Sequence, residues 1–580
     1  MFAQIPQLLP RPREVALRGG FLPVPPLPHP TARFLATLPQ TIAEAQAILD
    51  EKQSAACRFV AKPELGTGAY DLEIDKTGIH VGAGDAAGAL YAAQTLRQIH
   101  TQNPAALPRL MIFDGPDLSV RGFMLDISRT RVPLQSELFA LIAALGRLRV
   151  NQLQLYIEHT YAFTGHAEAW GEASPLTAEQ IRELDVACAA VGIELVPNLN
   201  TFGHMERWLR HPRYRAMAEC PAGWIHPLTG QFKAFPGTLK PDQTSLDFVA
   251  ALLDDYLPHF TSQQVNIGGD EPWELGQGAS KEAVAARGKH RVYLDHLKKL
   301  CALAQARGRT VQFWGDILLE DLALAQEAPA GTIPVVWGYD AGHPFNEQCG
   351  RLHELGRTYL VAPGTSAWQS FTGRLDNALT NQTEAIGAAL RHGAQGVLLT
   401  TWGDNGHHQP WPTSWLPIIA GLAQAWCYAA NQKPNFAAGC AILGGLDAAD
   451  GEKVAVAHAH LGRLDNQIAK TNRNKSLTWD FLTAQPEALA KLTEGVTAAE
   501  FAASLEYLAV AETLIAQIAD ATVRSELALG ARLARAGLAR AAGQPVTTAE
   551  QAELTKNYGA VWLQRSRPGG LSESVGQLFG

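Results

Sequence analysis

The chain has 580 residues, of which 47% are hydrophobic and 18% charged, so it reads as a globular protein with material for two or three domains. A net charge of −8 gives no support for a nucleic-acid partner or an anionic membrane surface. No apolar run is long enough to span a bilayer, and the seven cysteines are odd in number and lack paired spacing, so neither a disulfide framework nor a zinc site is indicated.

Residues 1–117 are predicted to form a small α+β domain. Prolines crowd the start and keep it extended and poor in helix. From Tyr70 to Asp75 apolar and polar residues alternate, Thr77-Gly78 supplies a turn, and Ile79-His80-Val81 alternates again, which is the pattern of a hairpin. Helical spacing follows over 86–99. The first residues carry neither the basic nor the apolar region of a signal peptide. Together with unpaired cysteines, this predicts a cytoplasmic protein.

Between 118 and 430 strands and helices alternate. Apolar strand candidates fall at 122–127, 152–157, 194–199, 264–267, 310–314, 333–337, 358–362 and 396–401. Helical segments are predicted at 135–148, 177–191, 245–256, 281–306, 377–392 and 414–430. Eight such units predict the α/β class and a (β/α)8 TIM barrel. The alternative is a doubly wound sheet, but no GxGxxG follows the first strand. Residues 431–580 are rich in alanine and leucine, with amphipathic spacing over 501–518 and 525–542. They predict a helical packing or oligomerisation domain, a homodimer being the simplest assembly. The closing Arg565-Ser-Arg567-Pro-Gly-Gly has the turn needed to fold over another part of the chain, with no partner legible.

In a barrel the strand C-termini build the active site. Asp126 stands on strand one. Glu158 and His159 follow strand two, and Asn198, Asn200 and His204 follow strand three. Strand four runs into Asn266-Ile267-Gly268-Gly269-Asp270-Glu271-Pro272-Trp273, where glycines allow a tight turn and a close approach by a ligand. Two adjacent carboxylates there point different ways, and acid–base chemistry needs two carboxyl groups in unlike environments. Strand five ends in Trp314-Gly-Asp316, strand six in Trp337-Gly-Tyr339, and strand eight in Trp402-Gly-Asp404; strand seven leads to Trp368. Eleven of the 13 tryptophans lie between Trp170 and Trp426, and rings at the ends of strands five, six and eight suit a pocket about one sugar wide.

These motifs resemble those of glycoside hydrolase family 20, the β-N-acetylhexosaminidases, over about residues 8 to 430. The resemblance implies an exo-acting, retaining hydrolase of terminal β-linked N-acetylhexosamine that works by substrate assistance, the substrate's acetamido oxygen replacing an enzyme nucleophile. It needs no cofactor and no metal, and its partner is a small oligosaccharide or glycoside. By resemblance Glu271 is the general acid/base and Asp270 orients the acetamido group. Arg121, in Arg121-Gly-Phe-Met-Leu-Asp126-Ile-Ser-Arg129, matches the arginine that holds O3 and O4. His204 matches the histidine behind the acidic pair. Trp314, Trp337 and Trp402 match the pocket tryptophans, and Asp404 stands where the family usually has glutamate. The family's tyrosine after strand seven is missing from Ala367-Trp368-Gln-Ser-Phe371, with Tyr339 as the available substitute. The family often has histidine where Asn266 stands, and Glu158-His159 replaces an expected acidic run.

Three other readings remain open on the residues alone. His159, His166, His204, His407 and His408 with Asp270 and Asp404 could serve a metal-dependent hydrolase, although no HExxH spacing is present. A non-catalytic sugar-binding protein would keep the tryptophans and lose the acid. A related glycosidase acting on a sugar without an acetamido group is the third alternative.

Overall fold

The computed structural model describes residues 4–26, 29–50 and 57–579. Met1 to Ala3, the very start of the segment read for a signal sequence, and Pro28 of the proline-rich stretch lie outside the described residues.

Eight parallel strands close into a barrel: Val120–Asp126, Gln152–Ile157, Glu194–Leu199, Gln264–Asn266, Thr310–Trp314, Ile333–Trp337, Leu360–Ala362 and Gly396–Thr401. Closure is made by the last strand against the first, from Gly396 beside Val120 to Thr401 beside Leu125. Both faces of these strands are covered, which is why most read as short runs of buried residues rather than as alternation. The barrel interior is not purely aliphatic. Gln154 donates to Gln312 Oε1 at 2.7 Å and accepts from Asn198 and Asn266 at 2.8 and 3.2 Å. The amides of this layer meet most of one another's donors and acceptors, Asn198 Oδ1 being left without a partner among the described residues, so burying the layer is tolerated. Asn266 is therefore a member of this polar layer inside the barrel rather than a free substitute for a site histidine.

In front of the barrel, five strands form a sheet in which the predicted hairpin pairs Tyr70–Ile74 with Ile79–Ala83. The helix Ala86–Gln102 is capped by Asp85, whose side chain accepts from Gly88 N. The proline-rich start is less extended than its composition suggests. Pro30 opens a helix, Pro30–Ala36, because proline at the first helical position gives up no needed donor.

The stretch expected as one helix over 281–306 is two, Lys281–Arg287 and Lys289–Gln305. Gly288 adopts φ 83° between them, a left-handed conformation that the apolar periodicity of the flanking turns does not reveal. Beyond the barrel, helices Ala498–Ile515, Ala521–Ala541 and Thr548–Arg565 pack onto it. One apolar core runs without a break from Phe123 and Leu399 in the barrel to Leu508, Leu533 and Trp562 in these helices. All seven cysteines are buried and unpaired. Among the described residues no helix is long and apolar enough to cross a membrane.

Candidate active site

The fourth strand is only three residues long, and its last residue begins the site. Asn266 Oδ1 accepts from Gly268 N at 3.0 Å and folds the chain back on itself. Gly268 has φ 73°, and a Cβ there would stand 1.9 Å from Asn200 Oδ1, so no other residue fits. Gly269 O accepts from the buried Tyr293 hydroxyl at 2.8 Å, which anchors the turn. Glu271 then leaves the turn at φ 47°. This strained left-handed geometry separates the two carboxylates, since a regular extended path would not hold them in the same relation to one histidine.

That histidine is His204, itself at φ 56°. Its Nε2 lies 3.2 Å from Asp270 Oδ2 and 3.6 Å from Glu271 Oε2. The loop carrying it comes close because Gly203 has no side chain: a Cβ there would meet Asp270 O at 2.5 Å. Burial disfavours a charged imidazole, but the charge of Asp270 and a hydrogen bond to it outweigh burial and push the His204 pKa to about 10. Burial raises the Glu271 carboxyl above its ordinary range, with His204 opposing and Asp270 adding to the rise. The side chain of Asp270 is 10% exposed and that of Glu271 31%. One carboxylate is thus held against a cation at the bottom of the site. The other can carry a proton where a leaving group would enter.

Opposite this pair stands Arg129, on the loop that follows strand one. Its guanidinium lies 3.1 Å from both Asp126 Oδ2 and Asp404 Oδ1, and 3.6 Å from Glu158 Oε1. It also lies over the Tyr156 and Trp402 rings, 5.0 and 4.8 Å from their centroids. Glu158 accepts from the Tyr156 hydroxyl at 2.9 Å, and burial lifts its pKa to about 7 against the pull of Arg129. Asp404 is raised by burial, with Arg129 again opposing. Asp316, after strand five, is lifted to about 8 by burial and by the charges of Asp270 and Glu271. A single arginine thus serves three carboxylates, while a fourth holds its proton near neutrality.

The remaining wall is aromatic. Trp337 stacks on Tyr339 at 5.3 Å and 23°, and Tyr339 meets Trp368 edge-on at 5.1 Å. Trp402 lies 5.7 Å from Trp314 and 4.7 Å from Tyr156. Trp314 Nε1 and Asp270 Oδ1 are buried with no hydrogen-bond partner among the described residues, and unpaired buried polar atoms are costly unless something fills them. Trp368 points its indole N–H away from the pocket, to Asn474 Oδ1 at 3.0 Å. It therefore supports Tyr339 from behind. Asp270 is among the charges that act on the Tyr339 phenol, which brings the substitute tyrosine to the acidic pair.

Asp270, Glu271, His204, Trp314, Trp337, Tyr339, Trp402, Asp404 and Glu158 therefore gather at one mouth, with Trp368 in its outer layer. Arg121 does not. It is the second residue of strand one, at the opposite end of the barrel, where it donates to the backbone oxygens of Arg149 at 2.8 Å and Leu118 at 2.9 Å. The expectation for Arg121 is corrected: the arginine at the mouth is Arg129, eight residues on in the same motif. The strand C-terminus, not its start, reaches the site. His159 is also displaced. Its neighbour Glu158 faces Arg129, and since successive strand-end residues face opposite ways, His159 turns outward into a separate cavity. Arg129, Tyr156, Asp126 and Asp316 are the participants that motif matching passed over, though each sits at or just beyond a strand's C-terminal end, where position alone points to a site. Among the described residues no group of three or more histidine, cysteine, aspartate and glutamate side chains is arranged to hold a metal ion.

Residues 119–381 match the catalytic-domain model of glycosyl hydrolase family 20, and residues 6–115 match that family's domain 2. The chain is 26% identical over 280 residues to a beta-hexosaminidase of Akkermansia muciniphila, a match covering 43% of this chain and 56% of that protein. It is 26% identical over 298 residues to human hexosaminidase D, covering 48% and 58%. It thus spans little more than half the length of each of these relatives. Among solved structures, Flavobacterium johnsoniae chitobiase shares the fold over 98% of this chain and 99% of its own, with a TM-score of 0.59 and 16% identity. A Bacteroides fragilis β-N-acetylhexosaminidase does so over 72% and 90%, with a TM-score of 0.56 and 18% identity.

Proposed function

The chain belongs to glycosyl hydrolase family 20, and on that premise we propose that it is an exo-acting, retaining β-N-acetylhexosaminidase that releases terminal β-linked GlcNAc or GalNAc. The observation that carries the reading is the Asp270–His204–Glu271 arrangement, one carboxylate paired with a cation and the other partly exposed with a raised pKa.

The sugar occupies the ring of Trp314, Trp337, Tyr339 and Trp402, a wall that also excludes water and strengthens charge interactions inside. Arg129 offers a planar fork to vicinal hydroxyls, the role the family resemblance had placed on Arg121. The acetamido oxygen attacks C1 as the bond from C1 to the leaving oxygen breaks, and the Glu271 proton goes to that oxygen. Asp270, paired with His204, stabilises the positive charge on the oxazolinium ring. Glu271, now a carboxylate, takes a proton from water as it adds to C1 and displaces the acetamido oxygen, whose bond to C1 breaks, so the product keeps the β configuration. Because the acetamido group is tethered, its effective molarity is high.

Substrates are small glycosides or short oligosaccharides, and seven buried unpaired cysteines favour a reducing compartment, the cytoplasm. Cell fractionation tests the location. The chemistry is tested by comparing a chromogenic β-N-acetylglucosaminide with the matching β-galactoside, with and without chelator. Fast cleavage of the N-acetyl substrate alone, unchanged by chelator and blocked by a thiazoline analogue, supports the proposal. Equal cleavage of both substrates sinks substrate assistance and favours a non-acetamido sugar, and loss on chelation that zinc restores revives a metal mechanism.

A further inference from the structure

Residues 566–579 do more than end the helical domain. After the helix Thr548–Arg565 the chain crosses onto the barrel mouth. Arg567 N donates to Val132 O at 2.8 Å, and Arg567 Nη1 donates to Pro175 O at 2.6 Å. The two glycines that follow are needed for this. A Cβ on Gly569 would meet Ala173 at 2.3 Å, and one on Gly570 would meet Thr130 O at 1.8 Å. Glu573 then ion-pairs with Arg207, and Ser574 hydrogen-bonds the Gly406 carbonyl in the loop after strand eight. The Arg-Pro-Gly-Gly stretch is thus a strap laid over the loops that follow strands one, two and three.

The strap does not lie flat. Between it and the barrel is a cavity of about 310 Å³, walled on one side by Ser128, His159 and Thr160 and on the other by Pro568 to Gly570 and Ser572. That size is at the small end of ligand pockets, which start at roughly 300 Å³. Arg207 and Arg210 line it, and so do Glu172 and Glu573. Two positive and two negative charges cancel, which speaks against an anion or cation as the occupant. The hydroxyls of Ser128, Thr160 and Ser572 and the scarcity of apolar side chains speak against a hydrocarbon. His159 is 4% exposed, and neither of its ring nitrogens hydrogen-bonds among the described residues, Nδ1 being fully buried. A histidine in that position lacks partners that an occupant would supply.

We propose that this strap cavity is a second saccharide-binding site, separate from the catalytic pocket, that takes one neutral hexose unit through Arg210, Glu172 and His159. A small chamber lined by both donors and acceptors matches the hydroxyls of a sugar ring, each of which can donate and accept. The cavity lies directly behind the catalytic network. Ser128 Oγ accepts from Glu158 N at 2.7 Å and shares a hydrogen bond with Thr160 at 2.8 Å, while the Glu158 side chain meets Arg129 on the other side.

Hydrogen exchange with N-acetylglucosamine as the probe separates the two sites by position. At a sugar concentration about ten times its Kd, amides over 568–573 should slow on the order of tenfold, beside the slowing at 266–273 and 400–405 that the catalytic pocket would give. Arg210→Ala and His159→Phe should each remove the first set and leave the second. Arg210→Ala should also leave turnover of a small chromogenic substrate unchanged. Protection confined to 266–273 and 400–405 overturns the strap site and spares the catalytic reading. Protection confined to 568–573 does the reverse, and protection that persists at the strap in both variants overturns the assignment of its residues.

Discussion

Two arginine-centred clusters sit at opposite ends of the barrel, and one arginine of each, Arg121 and Arg129, comes from the same motif. At the floor Arg121 and the fully buried Arg149 stack on Trp426, 5.1 and 4.2 Å from its centroid. Arg149 is paired with Asp114 at 2.6 Å and also donates to Thr95. At the mouth Arg129 lies over Tyr156 and Trp402 and faces three carboxylates. Five strand steps from Arg121 to Asp126 put the two arginines about 17 Å or more apart. The floor cluster has one carboxylate for its ion pair and draws Asp114, Thr95 and Tyr91 from the domain in front, so it fastens that domain to the barrel. The mouth cluster has an excess of carboxylates, one near neutrality in Glu158, and buried polar atoms left without partners. Of the floor's donors Arg149 Nε lacks a partner among the described residues, whereas the mouth leaves Trp314 Nε1 and Asp270 Oδ1 unpaired around an excess of carboxylates, and it is the mouth that is left for a ligand.

The largest expected effect at the mouth is that of the acid. Glu271→Gln should fold normally and lose ~10²–10⁴-fold in kcat on substrates with poor leaving groups, with a smaller loss on activated ones. Steady-state rates on both substrate types check this, and equal losses would remove Glu271 from the role.

The two arginines should then separate cleanly. Arg129→Met should lower kcat/KM about ten- to hundredfold, as expected for a charge-assisted contact worth about 1.5–3 kcal/mol. At the floor Arg149→Met leaves Asp114 buried and unpaired, at a cost of about 3–5 kcal/mol, and should lower Tm while KM is unchanged. A floor variant that raised KM, or an Arg129→Met enzyme with normal kcat/KM, would break the comparison.

Protonation sharpens it further. Glu271 must be protonated in the free enzyme, and its carboxyl is raised by burial. kcat/KM should therefore fall as pH rises through a value above the ordinary carboxylate range, and this limb should vanish in Glu271→Gln assayed with an activated substrate. His204 has its pKa lifted from about 6.5 in the unfolded chain to about 10. Its pairing therefore stabilises the fold fully below about pH 6.5 and is lost as pH climbs towards 10. Tm measured across that window should decline less in His204→Gln than in the parent.

The smallest effect concerns the outer support. Asn474→Ala removes the acceptor of the Trp368 indole and should raise KM about two- to tenfold through a loosened Tyr339, as fits a hydrogen bond of about 0.5–1.5 kcal/mol. Asn474→Asp keeps the acceptor and should restore KM. Trp368→Phe combined with Asn474→Ala should cost no more than either alone, and additive losses would mean the two act independently.

The sequence by itself determined the alternation of strands and helices, and hence the barrel, because buried parallel strands and amphipathic helices leave a local pattern. It also determined the acidic turn, since Gly268 and Gly269 both sit at positive φ, a local conformation that favours glycine. Only the tertiary structure decided which arginine serves the site. Arg121 and Arg129 flank one strand, and a motif does not say which end opens on the ligand until the strand's direction in the barrel is fixed. The same holds for Glu158 and His159, adjacent in sequence and turned to opposite sides of the barrel wall. It holds for Asn266, which the amide layer of Gln154 and Asn198 claims. The strap is the clearest case: Arg567-Pro-Gly-Gly announces a turn, but its partners at Thr130 and Ala173 lie some four hundred residues away, and contacts of that separation are set by how the whole chain packs.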